Sequence, residues 1–164
     1  MPQAVEERIA VELVNRLKTI VVTEDQNTTL VNVVRAGRDP RRWTITNNSI
    51  FVVQGEATRN PAADCPGNPP ANGYDLEFGI ICFIRQKDSE TIVDDATKVN
   101  ELVALARHAI AKPSDWQSFG LLCYDADFGD TVPFTPSEGS HSGGAFDLLC
   151  QFRVSENDPF EVRA

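Results

Sequence analysis

A stretch in the middle of the chain alternates apolar and polar residues, and this period of two constrains the fold more than any other feature of the sequence. Within residues 74–85, the apolar residues of one face are Leu76, Phe78, Ile80, Cys82 and Ile84. Because successive side chains of a β-strand point to opposite faces of its sheet, these residues predict a face that is buried along the whole strand. Ile81 and Phe83 make the other face apolar at one end only. The chain must therefore build a sheet that a second layer covers.

Two amphipathic helices are available to form that layer. The first, at roughly residues 3–19, repeats an apolar residue every four positions, at Val5, Ile9, Leu13 and Leu17. The second spans about residues 91–111, and Pro113 ends its helical pattern. Its apolar side is formed by Ala96, Val99, Leu102, Val103, Ala106 and Ile110. Apolar residues at this spacing share one side of a helix, so both helices are predicted to pack on the sheet.

Further strands are predicted where β-branched and aromatic residues are enriched, at residues 28–35, 49–54, 119–124 and 145–154. The order of elements is helix, strands, helix, strands, and strands that follow one another directly pair antiparallel. We therefore predict an α+β fold, a two-layer sandwich in which a mainly antiparallel β-sheet is covered on one face by two amphipathic helices. A chain of 164 residues is expected to form a single domain over residues 1–164.

Two long stretches rich in proline and glycine interrupt the predicted elements, at about residues 56–73 and 125–144. We interpret both as loops. Loops of this length in a small domain are uncommon unless they are functional, bound to a partner or disordered. The sequence therefore predicts that these two segments contact another molecule.

Charge is distributed unevenly along the chain, which carries a net charge of −9. Residues 1–59 hold 8 Lys and Arg against 7 Asp and Glu, whereas residues 60–164 hold 7 against 17. An acidic chain is a poor general binder of nucleic acid, because phosphate contacts need a basic surface. The sequence also lacks an apolar run of roughly 20 residues and the pattern of a signal peptide, so it predicts neither a membrane segment nor export.

One basic cluster stands out against this acidic background, formed by Arg35, Arg38, Arg41 and Arg42. Arginine binds carboxylates in bidentate pairs, so the cluster favours a protein interface with an acidic partner. The alternative is a solvated connection between strands, where exposed charges contribute little. Because the rest of the chain is acidic, the partner can be a second copy of the protein. The candidate acidic residues of that copy are Asp125, Asp127, Asp130 and Glu138.

Residue patterns for catalysis, metal binding and cofactor binding are weak. Residues 125–130 superficially resemble a calcium loop, but glycine stands one position early and Pro136 replaces the bidentate glutamate. His141 lies between two serines, without the nucleophile elbow of a hydrolase. The four cysteines form no CxxC pair. Three of them are predicted to be reduced, buried thiols on strands: Cys82, Cys123 and Cys150. We therefore predict no catalytic residue, no metal site and no cofactor.

Several segments read together carry a family likeness, at residues 30–35, 49–56, 74–85, 91–98, 146–154 and 157–160. With the amphipathic helix that precedes them, their order resembles the tail terminator proteins of long-tailed bacteriophages, the lambda tail terminator family. The resemblance implies a non-enzymatic structural protein that forms a homohexameric ring on the tail tube, ends tube polymerisation and provides the surface that joins the head.

The resemblance also implies the partners and the location. The partners are further copies of the chain, the tail tube protein and a neck or head-completion protein, at the tail–neck junction of the virion. DNA passes through the ring without specific binding. Two other interpretations stay open at this point. One is another neck, tail-completion or tail-tube protein, and the other is a small enzyme or ligand-binding domain that uses His141 with the acidic stretch at residues 125–130.

Overall fold

The computed structural model describes residues 3–24, 26–85, 92–134 and 141–163, which contain two α-helices and eight β-strands. In chain order these elements are α1 (Val5–Leu17), β1 (Val21–Glu24), β2 (Asn27–Leu30), β3 (Asn32–Ala36), β4 (Ser49–Arg59), β5 (Ala71–Arg85), α2 (Ile92–Ala111), β6 (Asp125–Phe134), β7 (His141–Ser155) and β8 (Asp158–Val162). Among the described residues, neither helix has both the length and the apolar composition needed to cross a bilayer.

Six strands form one sheet in the order β3-β4-β5-β7-β6, and β8 pairs with the end of β7. The β3–β4 pair is parallel, and the other pairs of this sheet are antiparallel. β1 and β2 form a separate antiparallel hairpin. The predicted α+β class, a mainly antiparallel sheet combined with two helices, is confirmed.

The hydrophobic core lies between the two helices and one face of the sheet, which we call the helix face. The alternation seen in the sequence of β5 holds in the structure, because Leu76, Phe78 and Ile80 are fully buried. The strand register places Val52 of β4 and Phe146 of β7 beside Ile80 on this face. The apolar residues of α1 that recur every four positions are fully buried in the same cluster. Helical and strand periodicity therefore meet in one core.

The opposite face of the sheet, which we call the open face, carries the residues that alternate with the core. The register places Asp75, Glu77 and Asp147 on it. A segment between β3 and β4 covers one end of this face, where the Trp43 ring stacks on Phe51 with 4.9 Å between centroids. The two faces of the sheet thus differ in chemistry, one apolar and helix-covered, the other largely acidic.

The strand predicted at residues 119–124 is wrong, because this segment forms a turn. It follows a 3₁₀ helix at Trp116–Ser118 and opens with three residues of positive φ, at 45°, 67° and 69°. Left-handed backbone cannot continue a strand. The N–H groups of Leu122 and Cys123 instead donate to the carbonyl of Ser118 at 2.8 and 2.9 Å. An apolar run without a clear period was therefore a buried turn.

Two smaller differences concern the strand predicted at residues 28–35 and the start of α2. That strand is divided at Val31, whose N–H donates to the carbonyl of Ile20 at 3.1 Å, so its two halves belong to different sheets. In α2, Ala96 is exposed and Asp95 is buried. The apolar side of the described part of this helix therefore begins at Val99.

The long loop predicted at residues 125–144 is also wrong, because most of it forms β6 and the start of β7. Gly144 shows why its glycines misled the prediction. A Cβ atom at this position would lie 3.0 Å from Val99 and 3.1 Å from Val103, so the glycine lets α2 approach β7 closely. Residues 135–140, which include Glu138, lie outside the described residues.

The loop predicted at residues 56–73 is shorter than expected, because β4 continues to Arg59 and β5 begins at Ala71. Its remaining part is held against the sheet by polar contacts. The Arg59 guanidinium forms a salt bridge with Asp64, which also accepts the Gly73 N–H at 2.9 Å. Arg153 of β7 donates to the carbonyl of Ala63 at 2.6 Å. Proline and glycine here belong to a tied hairpin connection rather than to a free loop.

Candidate functional site

Arg35 lies on the helix face of β3 and already has partners within the chain. Its guanidinium donates to Glu7 of α1 at 2.5 Å and to Gln54 of β4 at 2.6 Å. The hydrogen bond between the two charged side chains lowers the pKa of Glu7 and raises the pKa of Arg35. Of the four arginines predicted as interface residues, this one ties the first helix to the sheet.

The other three arginines lie in the segment between β3 and β4, and all are exposed. Asp39 accepts the Arg41 N–H at 3.1 Å and so begins a 3₁₀ helix at Pro40–Arg42. Arg42 lies 3.9 Å from the same carboxylate with 88% of its side chain exposed. Arg38 lies 3.2 Å from Glu56 and is 60% exposed. Exposed pairs of this kind are worth about 0–1 kcal/mol, so both guanidinium groups can exchange these carboxylates for those of a partner.

An open groove of about 800 Å³ lies beside β3 on the open face of the sheet. Its floor includes Val34, Phe51 and Ala36, and its wall includes Trp43. The indole N–H donates to the carbonyl of Gly37 at 2.9 Å, which fixes the ring over the strand. The charged lining of the groove consists of Arg35, Arg38, Asp39 and Arg42. The groove therefore combines an apolar floor with basic side chains, a surface that suits an acidic segment with apolar residues.

The outer edge of β3 is open, because among the described strands only β4 pairs with it. The Asn32 N–H donates to the carbonyl of Asn48 at 3.0 Å. In a parallel ladder, alternate residues of a strand direct their backbone groups to the same neighbour. The N–H and C=O groups of Val33 and Arg35 therefore point away from β4. Such groups can pair with a strand of another chain.

Three of the predicted acidic residues lie on β6, at the opposite edge of the sheet. Asp127 and Asp130 are exposed, and Asp125 is half-buried beside the Gln117 amide at 3.4 Å. The register against β7 places Asp125 and Asp127 on the open face. Four strand spacings of about 4.8 Å separate β3 from β6, roughly 19 Å in all, so the two charged edges do not meet within one molecule.

Sequence reasoning missed two parts of this site. The acidic residues of the open face, Asp75 and Glu77, alternate with the core residues of β5, and that alternation was the signal that could have found them. Trp43 carried no periodic signal, because its role depends on the ring of Phe51, which comes from a different part of the chain. The complete candidate site thus consists of a basic edge with a groove and an acidic edge that continues onto an acidic face.

The alternative that combines His141 with residues 125–130 finds no support in the geometry. His141 begins β7 and pairs with Arg85, so it does not lie in a loop. The acidic residues pair with or lie opposite positions of β7 that are six or more residues further along the strand. At about 3.3 Å per residue, that is a separation of about 20 Å or more. Among the described residues, no group of three or more His, Cys, Asp or Glu could hold a metal ion.

All four cysteines are free thiols, and Cys82, Cys123 and Cys150 are buried. Cys82 and Cys150 lie on strands as predicted, whereas Cys123 lies in the turn before β6. Burial raises the pKa of Cys82 to about 12. Contact with the Cys123 thiol, together with burial, raises the pKa of Cys150. Since the thiolate is the reactive form, these cysteines are structural rather than nucleophilic.

In comparisons with known proteins, no family model matches the chain and no curated protein matches its sequence. Its function is therefore argued from the chemistry of the sheet edges and faces.

Proposed function

We propose that the protein is a non-enzymatic ring subunit that caps the tail tube of a long-tailed bacteriophage, as a tail terminator. The observation that carries this proposal is the placement of opposite charges at opposite edges of one sheet. Arg38 and Arg42 lie beyond β3 at one edge, and Asp125 and Asp127 lie on β6 at the other. Two different, complementary surfaces on one molecule favour head-to-tail contacts, which close into a ring when the rotation between copies allows it.

The acidic open face supplies the second part of the proposal. With the helices on the outside of the ring, this face would line the central hole. Its carboxylates include Asp75, Glu77, Asp127 and Asp147. A surface of this sign repels the phosphate backbone, so DNA could pass through the hole without binding to it.

The remaining partners follow from this arrangement. The two rims of such a ring are free to contact different proteins, the tail tube on one side and a neck or head-completion protein on the other. The protein would then be located at the tail–neck junction of the virion. A tail-tube subunit is the nearest competing function, and it differs in one measurable property: its rings stack into filaments.

The test uses phage in which the gene for this chain carries a nonsense mutation. Without the protein, we expect tail tubes of abnormal length that do not join heads, and purified wild-type protein should restore both length and joining. On isolated tubes, electron microscopy should show one closed ring at the tube end, and light scattering of the released ring should give a multiple of the 18.1-kDa chain mass. Filaments of the purified protein would instead identify a tube component. A monomer that ignores tail tubes would overturn the ring.

A further inference from the structure

The two charged sheet edges fit each other as strands, which goes beyond attraction between charged surfaces. We propose that β6 of one copy adds to β3 of the next copy as an antiparallel strand, with its Asp125 and Asp127 beside Arg38 and Arg42 in the groove. This junction rests on the proposed ring assembly and specifies how neighbouring copies join. The occupant of the groove is thus a second copy of this chain.

Strand direction supports antiparallel pairing. β3 and β4 run in one direction, β5 runs opposite to them, β7 runs with them, and β6 again runs opposite. When a second copy is placed beside the first with the same face of its sheet on the same side, its β6 lies next to β3 and points the other way. Successive copies then repeat by rotation about an axis along the strands, the operation that builds a ring.

Backbone groups are available on both sides of the junction. On β3, the N–H and C=O groups of Val33 and Arg35 point to the open edge, as the hydrogen bond from Asn32 to Asn48 shows. On β6, β7 is the one described strand that pairs with it, so the other edge has no strand neighbour in this part of the chain. Strand addition uses main-chain hydrogen bonds for affinity and alternate side chains for specificity.

The side chains provide that specificity. Because the open faces of the two copies are continuous across the junction, residues of the open face meet residues of the open face. On β6 these are Asp125 and Asp127, two positions apart, and on the β3 side they meet the groove that contains Arg38 and Arg42. Arg35 lies on the helix face and already binds Glu7, so it is not expected to contact the partner.

Cysteine cross-linking tests the faces and the pairing directly. In a Cys65→Ser background, we expect Val34→Cys combined with Asp125→Cys or Asp127→Cys to give disulfide-linked ladders under mild oxidation, both on tail tubes and in concentrated protein. Arg35→Cys combined with Asp127→Cys is the matched control, because Arg35 lies on the other face of β3 and should not cross-link. The proposal is overturned if the Val34 pairs give no ladder, or if the control cross-links equally.

Charge exchange tests the side-chain contacts. Arg38→Glu with Arg42→Glu should lower the yield of rings at least about tenfold, as expected for the loss of charge-assisted hydrogen bonds. Adding Asp125→Lys and Asp127→Lys to the same chain should restore the yield. Arg41→Glu is the control, because Arg41 belongs to the same cluster but does not line the groove. Failure of the exchange to restore rings would contradict the pairing.

The junction and the proposed function fail in different ways. Ladders that form as expected in a protein without effect on tail length would retain the junction and refute the tail terminator. Normal tail completion by a variant that neither cross-links nor needs Arg38 and Arg42 would retain the tail terminator and refute the junction.

Discussion

Replacing Gly144 by alanine tests whether the glycine-rich segment at the start of β7 is packed under α2. The added Cβ would lie 3.0 Å from the Cγ1 of Val99 and 3.1 Å from the Cγ2 of Val103. Both neighbours are β-branched residues of a helix, where one rotamer of the first side-chain torsion strongly dominates. Neither valine can turn away cheaply, so the helix itself must shift. We therefore expect Gly144→Ala to destabilise the fold.

The size of the effect follows from two opposing contributions. Overpacking a close-packed core costs about 1–3 kcal/mol, and replacing glycine by alanine returns about 0.4–1 kcal/mol by restricting the unfolded chain. The net loss in the free energy of unfolding should be about 1–2 kcal/mol. For a protein of this size, that corresponds to a decrease in Tm of about 2–8 °C.

Equilibrium unfolding in urea measures this change, with Gly79→Ala as the matched control. Gly79 also lies within a strand of the sheet, but the nearest atoms to an added Cβ are 3.9 Å away, at ordinary contact distance. The control should be neutral or slightly stabilised. Val103→Ala in the Gly144→Ala background should recover part of the loss, because it makes room for the new methyl group. Equal stability of Gly144→Ala and Gly79→Ala would refute the close helix packing.

Three further outcomes are expected. Arg16→Met should cost about 2–4 kcal/mol in urea unfolding, because the buried guanidinium donates to the carbonyl of Ile110 at 3.0 Å and would leave it unpaired; an unchanged midpoint would argue against that bond. The Arg59 salt bridge lowers the pKa of Asp64 to about 2, so its stabilisation is present above pH of about 4 and lost towards pH 2; the Tm difference between wild type and Asp64→Asn should shrink over that range, and a constant difference would contradict the linkage. A thiol reagent should label Cys65 first in the native protein, and rapid labelling of the three buried thiols would contradict the packing.

Elements with a regular period were predicted correctly from the sequence because the period itself encodes which side chains are buried. The alternation at residues 74–85 and the four-residue spacing in α1 are both reproduced in the core. Glycine and proline were less informative, because each allows more than one structure. Gly144 was interpreted as part of a flexible loop, whereas it provides space for α2 above β7. Only the atoms of a distant helix distinguish these two roles of a glycine.

The same distinction applies to the candidate site. Composition and charge reveal four clustered arginines, but Arg35 differs from Arg38 and Arg42 only through Glu7, which is 28 residues away in sequence. The acidic stretch of β6 looked like a loop because its hydrogen bonds go to β7, which follows it in the chain. The sequence alone thus determined the class of the fold, since local periodicity decides which faces are apolar. Which charges stay available, and at which sheet edge they lie, was decided by the tertiary structure, because strand order and long-range ion pairs join residues far apart in the chain.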